Sequence, residues 1–180
     1  MRYLKSHPSY GLLYKANGHL RVEAYIDVDW AGSVSNRKSI IGYCTFLGGN
    51  LITWKSKKHI VVARSSVKDE YRAMTLTLYE LIWIKYLLEK LKFVVKLPMT
   101  MHYDNQAAIH IASNPVFHEQ TKHIEVYCHI TQEKVKDGVI ATSYVSTRVQ
   151  IAVMFIKTLC NTHLDLLGNK LELYDIYSPA

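Results

Sequence analysis

Three carboxylates stand where an ordinary solvated acid would not. Residues 20–29 alternate, with Leu20, Val22, Ala24, Ile26 and Val28 on one side and Arg21, Glu23, Tyr25, Asp27 and Asp29 on the other. That period of two is the mark of a half-buried strand, and Asp27 lies near its end. Asp104 directly follows a strand-like run, 99–103, and precedes a short helical one. Glu70 comes four residues before Met74 and eight before Leu78, on or beside the apolar stripe of a long helix. A carboxylate in such a place needs a cation or a hydrogen-bond donor, because burying it alone is costly. Carboxylates at neighbouring strand ends, joined by one from a packed helix, form an oxygen-rich site for a hard cation such as Mg2+. On a basic chain, that chemistry points to metal-assisted cleavage of a phosphodiester. The plainer reading of the same acids is a turn, a helix cap or a solvated surface.

The elements that would position these acids can be read from the pattern. Strand-like runs over 40–47 and 51–54 are joined by Gly48-Gly49-Asn50, a hairpin signal, and 59–63 is a further short strand or a continuation. Ser65-Ser66 opens a long helix, with Asp69 at capping-box spacing from Ser66 and Met74, Leu78, Leu81, Leu88 and Leu91 at helical spacing. Trp83 falls in the apolar half of that helix and is expected in the core. A strand over 99–103, a short helix over 106–112, a helix through Ile124, Cys128, Thr131 and Val135 stopped at Gly138, and a strand over 139–145 follow. Thr147 and Gln150 have capping-box spacing and predict a last helix to about residue 159. The order implies an α/β domain, a mixed sheet with helices packed on its faces.

Composition narrows the class. The chain has 180 residues, 49% apolar and 21% charged, with 22 Lys and Arg against 15 Asp and Glu. A single globular domain is expected, and disorder, collagen and coiled coil are excluded for the chain as a whole. The net charge of +7 suggests a polyanionic partner. No stretch has the pattern of a signal peptide or a membrane span, and the three cysteines show no CxxC spacing. Reduced thiols in a cytoplasmic or nuclear compartment fit this usage, and no membrane partner is expected.

Further motifs carry a family resemblance. Residues 25–32 (Tyr-Ile-Asp-Val-Asp-Trp-Ala-Gly), Arg37-Lys-Ser39, Gly42-Tyr43, 46–49, 54–58, Ser65-Ser66 and Glu70-Tyr71 resemble the ribonuclease H domain of copia-type retrotransposon Pol polyproteins. The similarity continues through 104–109, 114–118, 121–124, Asp137-Gly138 and Phe155 with Lys157. Residues 1–18 are similar to the lead-in between reverse transcriptase and that domain, which leaves 19–173 as the domain and 174–180 as a tail.

The resemblance implies a ribonuclease H-like fold and an Mg2+-dependent endonuclease that cuts RNA in RNA–DNA hybrids. It assigns the metal-binding acids to Asp27, Glu70 and Asp104, the same residues singled out by spacing. It also implies a two-metal site, whose fourth acid is missing here. Where the family has Gln-x-Ala-Asp-x-Phe-Thr-Lys, residues 150–157 read Gln-Ile-Ala-Val-Met-Phe-Ile-Lys, so Val153 stands at the position of the lost ligand. Lys68 and Asp69 stand where Glu and Ala are usual, and Val28 where Ala is usual. These departures suggest a degenerate fragment with impaired cleavage. The alternative is a catalytically inert nucleic-acid-binding or structural relic. A reverse transcriptase domain in the parent polyprotein is an implied partner.

Arg37, Lys38, Lys55, Lys57 and Lys58 form a basic set that reads either as phosphate contacts along a nucleic acid or as a solvated strand end. Nine histidines show no zinc spacing, and His118 and His123, which belong to the family motif, have no assigned chemistry. Trp30 and Trp54 are candidates for a surface near the substrate.

Overall fold

The computed structural model describes residues 9–32, 37–58, 66–113 and 122–177. Its centre is a five-stranded sheet built from β2 (Val22–Asp29), β3 (Ile40–Leu47), β4 (Asn50–Lys58), β5 (Met99–Tyr103) and β6 (Ile140–Tyr144), in the order β4-β3-β2-β5-β6. The β2–β3 and β3–β4 pairs are antiparallel, and β5 and β6 join parallel to β2. Gly48 and Gly49 turn the β3–β4 hairpin at φ of 60° and 80°, a left-handed backbone that glycine adopts without strain. The mixed α/β architecture is the one the sequence pattern predicts.

Helix α1 (Ser66–Lys90) lies on one face of the sheet, with α2 (Gln106–Ser113) and α3 (Lys122–Lys136) beside it. Its Met74, Leu78 and Leu81 are buried against Ala24, Ile26, Met99, Met101 and Ile140. This is the side of β2 that alternation marks as apolar. The other side is covered as well: Cys44, Phe46 and Leu51 pack with Ile151 and Leu171, and Tyr25 and Phe155 border that second cluster. The nominally polar side of β2 is therefore not a solvated surface, and this is why Asp27 is buried.

Two expectations need correction. Residues 147–159 do not form an α-helix. Thr147–Val149 and Ile151–Phe155 are separate 3-10 turns, and Gln150 between them is extended at φ −74° and ψ 107°. Gln150 is withdrawn from any helix because its side chain is fully buried, donating through Nε2 to the Ile26 carbonyl at 2.9 Å and to the His102 carbonyl at 3.4 Å. It ties β2 to β5, and capping-box spacing alone does not reveal that demand. The α-helix of this region comes later, as α4 (Asn161–Lys170). The second correction is Trp83, which is 53% exposed on the side of α1 away from the sheet. A continuation over 59–63 falls outside the described residues, but β4 itself runs on to Lys58 and takes in the basic run.

A second, two-stranded sheet pairs β1 (Tyr10–Leu12) antiparallel with β7 (Leu173–Asp175). Leu12 and Leu173 pack against the second cluster, so the first and last described segments close over the same face.

Candidate active site

The three acids reach one open pocket of about 570 Å3 from three different elements. Asp27 comes from β2, Glu70 from the first turns of α1, and Asp104 from the turn that follows β5. Tyr144, Thr147 and Lys157 complete much of its wall. The parallel pairing of β2 with β5 aligns Ile26 with Tyr103, which brings Asp27 and Asp104 to the same end of the sheet.

Each acid has a partner. The Lys157 ammonium lies 2.7 Å from Oδ2 of Asp27, whose side chain is only 3% exposed. Burial pushes the Asp27 carboxyl above its ordinary range; Lys157 opposes the rise and the charge of Asp104 adds to it. Glu70 is pushed up to about 7, first by burial, with the charges of Asp104, Asp27 and Asp69 adding and a hydrogen bond from Asn105 opposing. That bond, from Asn105 Nδ2 to Glu70 Oε1, is 3.2 Å. The other end of the Asn105 amide accepts from the Ala108 backbone N–H at 3.1 Å, capping α2. Thr147 Oγ1 donates to Asp104 Oδ2 at 2.8 Å.

Val153 is buried at 2% exposure and does not line the acid pocket. Lys157 of the same segment, whose backbone N–H donates to the Val153 carbonyl at 2.9 Å, does line it, as does Thr147. The segment comes this close to β3 because residue 42, paired with Asp27, is glycine. A Cβ there would lie 2.5 Å from Ile156 Cγ2 and 3.2 Å from the Ala152 carbonyl oxygen.

The basic set is not gathered at the acids. Lys55, Lys57 and Lys58 are exposed along β4, Arg37 is exposed and Lys38 half-buried, and none of them lines the acid pocket. Side chains alternate along a strand, so Lys55 and Lys57 leave β4 on one face and Lys58 on the other. Trp30 and Trp54 are 50% and 42% exposed, in keeping with a surface role. His118 lies outside the described residues, as does the His123 side chain. Asn105, Thr147 and Gln150 are the contributors that sequence reading missed. Asn105 carried a signal, as a good N-cap residue directly before a helix, whereas Thr147 and Gln150 were assigned by spacing to a helix that does not form.

Among the described residues, no three His, Cys, Asp or Glu side chains form a closed metal-ligand cluster. The donor chemistry still suits a hard cation: three carboxylates share one pocket, Glu70 has no cation beside it among the described residues, and burial raises the carboxyls of Asp27 and Glu70 even with Lys157 against Asp27.

Over 171 residues, 95% of its length, the chain is 36% identical to the retrovirus-related Pol polyprotein from transposon RE1 of Arabidopsis thaliana. Over 159 residues, 88% of its length, it is 38% identical to the corresponding RE2 polyprotein of the same plant. The chain is a homologue of copia-type retrotransposon Pol polyproteins. It spans 12% and 11% of the length of these two relatives. No family model matches it. Among solved structures it superposes on LC11-RNase H1, isolated from compost, with a TM-score of 0.54 at 13% identity, covering 81% of this chain and 96% of that one. The same protein in complex with an RNA/DNA hybrid matches with a TM-score of 0.54 at 12% identity, over 76% and 94% of the two chains. The fold of this retrotransposon homologue is that of ribonuclease H. No described helix is long and apolar enough to cross a membrane.

Proposed function

We propose that this chain is a ribonuclease H-type domain that binds RNA–DNA hybrids and hydrolyses their RNA strand with reduced efficiency. The observation that carries this reading is the convergence of Asp27, Glu70 and Asp104 from β2, α1 and the β5 end on one open pocket. Two likenesses support it, to transposon polyproteins and to the fold of a ribonuclease H solved with a hybrid. Asp27, Glu70 and Asp104 would hold Mg2+, which in such sites activates the attacking water and stabilises the leaving oxygen. Asn105 orients Glu70, and Thr147 orients Asp104. Lys157 already neutralises Asp27, so holding an ion there requires the ammonium to move aside. Exposed Lys55, Lys57 and Lys58, with Arg37 and Lys38, supply phosphate contacts along the hybrid, a role that positions the duplex without reading its sequence.

A second reading, an inert nucleic-acid-binding relic, is favoured by the buried Val153 and by the Lys157–Asp27 pair. A cleavage assay on a labelled hybrid in Mg2+ or Mn2+ separates the two when wild type and Val153→Asp are run together with hybrid-binding anisotropy. The expected outcome is hybrid binding by both proteins, weak cleavage by wild type, and at least about tenfold faster cleavage by the variant, the scale of one lost transition-state interaction. Binding with no cleavage by either protein selects the relic. Absence of binding removes both readings.

A further inference from the structure

Helix α1 turns an aromatic face to solvent. Tyr79, Trp83, Tyr86, Leu87 and Leu91 are each between 42% and 58% exposed, and they recur at i, i+4, i+7, i+8 and i+12 along one stripe. Phe93, Val94 and Leu97 extend it beyond the helix and are exposed as well. Met74, Leu78, Leu81 and Leu88, on the opposite face, account for the packing of α1 on the sheet. Single exposed hydrophobic residues need no explanation, but a contiguous row does. With an aromatic side chain presenting roughly 200 Å2 and a leucine somewhat less, these five half-exposed residues display roughly 400–500 Å2, within the range of a monomer's largest apolar patch. Residues 93–97 bring this toward the roughly 800 Å2 that each partner contributes to a standard interface.

We propose that this face joins two copies of the chain in an antiparallel homodimer, with the two-fold axis near residue 85. A two-fold interface must be complementary to itself, since residue i meets j wherever j meets i. Counted outward from residue 85 in both directions, Tyr79 meets Leu91, Trp83 meets Leu87, and Glu80 meets Lys90 of the second copy. Tyr79 and Trp83 thus each meet an aliphatic side chain and the acid meets a base, while Tyr86, whose counterpart Ile84 is buried against the sheet, lies at the edge of the contact. In a parallel pairing each residue would instead meet itself, and Lys90 would face Lys90. The chain already holds these charges beside the stripe: the Lys90 ammonium lies 5.2 Å from the centre of the Tyr86 ring, and Glu80 accepts a 3.1 Å hydrogen bond from the Tyr43 hydroxyl. Lys85 is level with the axis but lies about half a turn round the helix from the stripe, paired with Glu89 of its own helix, so it does not enter the interface. The stripe begins nine residues beyond Glu70, roughly 13 Å along the helix, so the dimer leaves the acid pocket open. The inference rests on this surface alone and stands whether or not the pocket is catalytic.

Analytical ultracentrifugation of the full chain from about 1 to about 200 μM tests it. The expected result is a reversible monomer–dimer equilibrium, weakened at least about tenfold by Trp83→Glu while the circular dichroism spectrum and thermal melt stay native. Orientation is read by cross-linking in a Cys160→Ser background. Tyr79→Cys combined with Leu91→Cys should give a disulfide-linked dimer under mild oxidation, and either cysteine alone should give little. A monomer throughout the range overturns the proposal and leaves the face to a different partner. So does a dimer that Trp83→Glu does not weaken, or one in which the single-cysteine variants cross-link as well as the double variant.

Discussion

Glu70 concentrates the electrostatic strain of the pocket in one side chain. Its carboxyl is pushed from 4.5 up to about 7, mainly by burial and then by the charges of Asp104, Asp27 and Asp69. Because the folded pKa exceeds the unfolded one, the folded state holds the extra proton between these values. The stability this proton confers is complete below about pH 4.5 and is lost as pH rises through about 7. Glu70→Gln keeps the shape and removes the charge. We therefore expect the variant to match wild type near pH 4 and to exceed it near pH 8 by about 2 kcal/mol in urea unfolding. The same offset at both pH values would show that the charge is not the cause. The three acids were legible in the sequence because each sat at odds with its surroundings: on an apolar stripe, at a strand end, or between a strand and a helix. Their pairings were not legible, although Asn105 and Lys157 themselves lie in the family motifs. Asn105, Thr147 and Lys157 reach the acids across sequence separations of 35, 43 and 130 residues, and only the sheet topology brings them together.

The hardest element to read was the 3-10 segment behind β2 and β3. Local propensity allowed a helix over 147–159, but the tertiary structure asks something else of it. Gln150 must satisfy two strand carbonyls, and Ala152 and Ile156 must lie against the backbone of β3 at Gly42. The helices and strands on the α1 side were legible because their apolar residues follow one period and meet one surface. This segment serves three constraints and has no single period. Gly42 is the residue that permits its approach. Gly42→Ala places a methyl group 2.5 Å from the Cγ2 methyl that branches directly from Ile156 Cβ and 3.2 Å from a backbone oxygen, neither of which can easily give way. The substitution should destabilise the fold by about 1–3 kcal/mol, as overpacking typically does. It should also loosen the segment ending in Lys157, which hydrogen-exchange protection at the Lys157 amide reports independently of global stability. Unchanged melting and unchanged protection together would mean that the segment has more room than this contact allows.

At the scale of the whole molecule, the question is where the domain begins. Reading the family resemblance alone puts its first residue at 19, with the preceding residues as a lead-in. Within that lead-in, however, Tyr10–Leu12 forms a strand with Leu173–Asp175, the Leu13 backbone N–H donates to the Glu172 carbonyl at 2.9 Å, and Lys15 pairs with the Glu172 carboxylate at 2.7 Å. Asn17 Nδ2 donates to the Gly48 carbonyl at 2.7 Å, and Asn50 accepts from the Lys15 backbone N–H at 2.8 Å, so the same stretch fastens the β3–β4 hairpin. Leu12 meanwhile covers the apolar cluster over which the 3-10 segment and Leu171 lie. The exposed ion pair adds little, since such pairs are screened by water and salt. The strand ladder and the apolar cover of Leu12 carry the effect. A chain shortened to begin at residue 13 would lose both, with β7 left as an unpaired edge. Its urea midpoint should fall by the equivalent of about 2 kcal/mol, roughly one buried aliphatic side chain with its strand contacts. Its 1-anilinonaphthalene-8-sulfonate fluorescence should rise as the second cluster opens. Coincident unfolding curves for the short and full chains would instead confirm a boundary near residue 19, and would make the small sheet an ornament rather than the clasp that holds the back face closed.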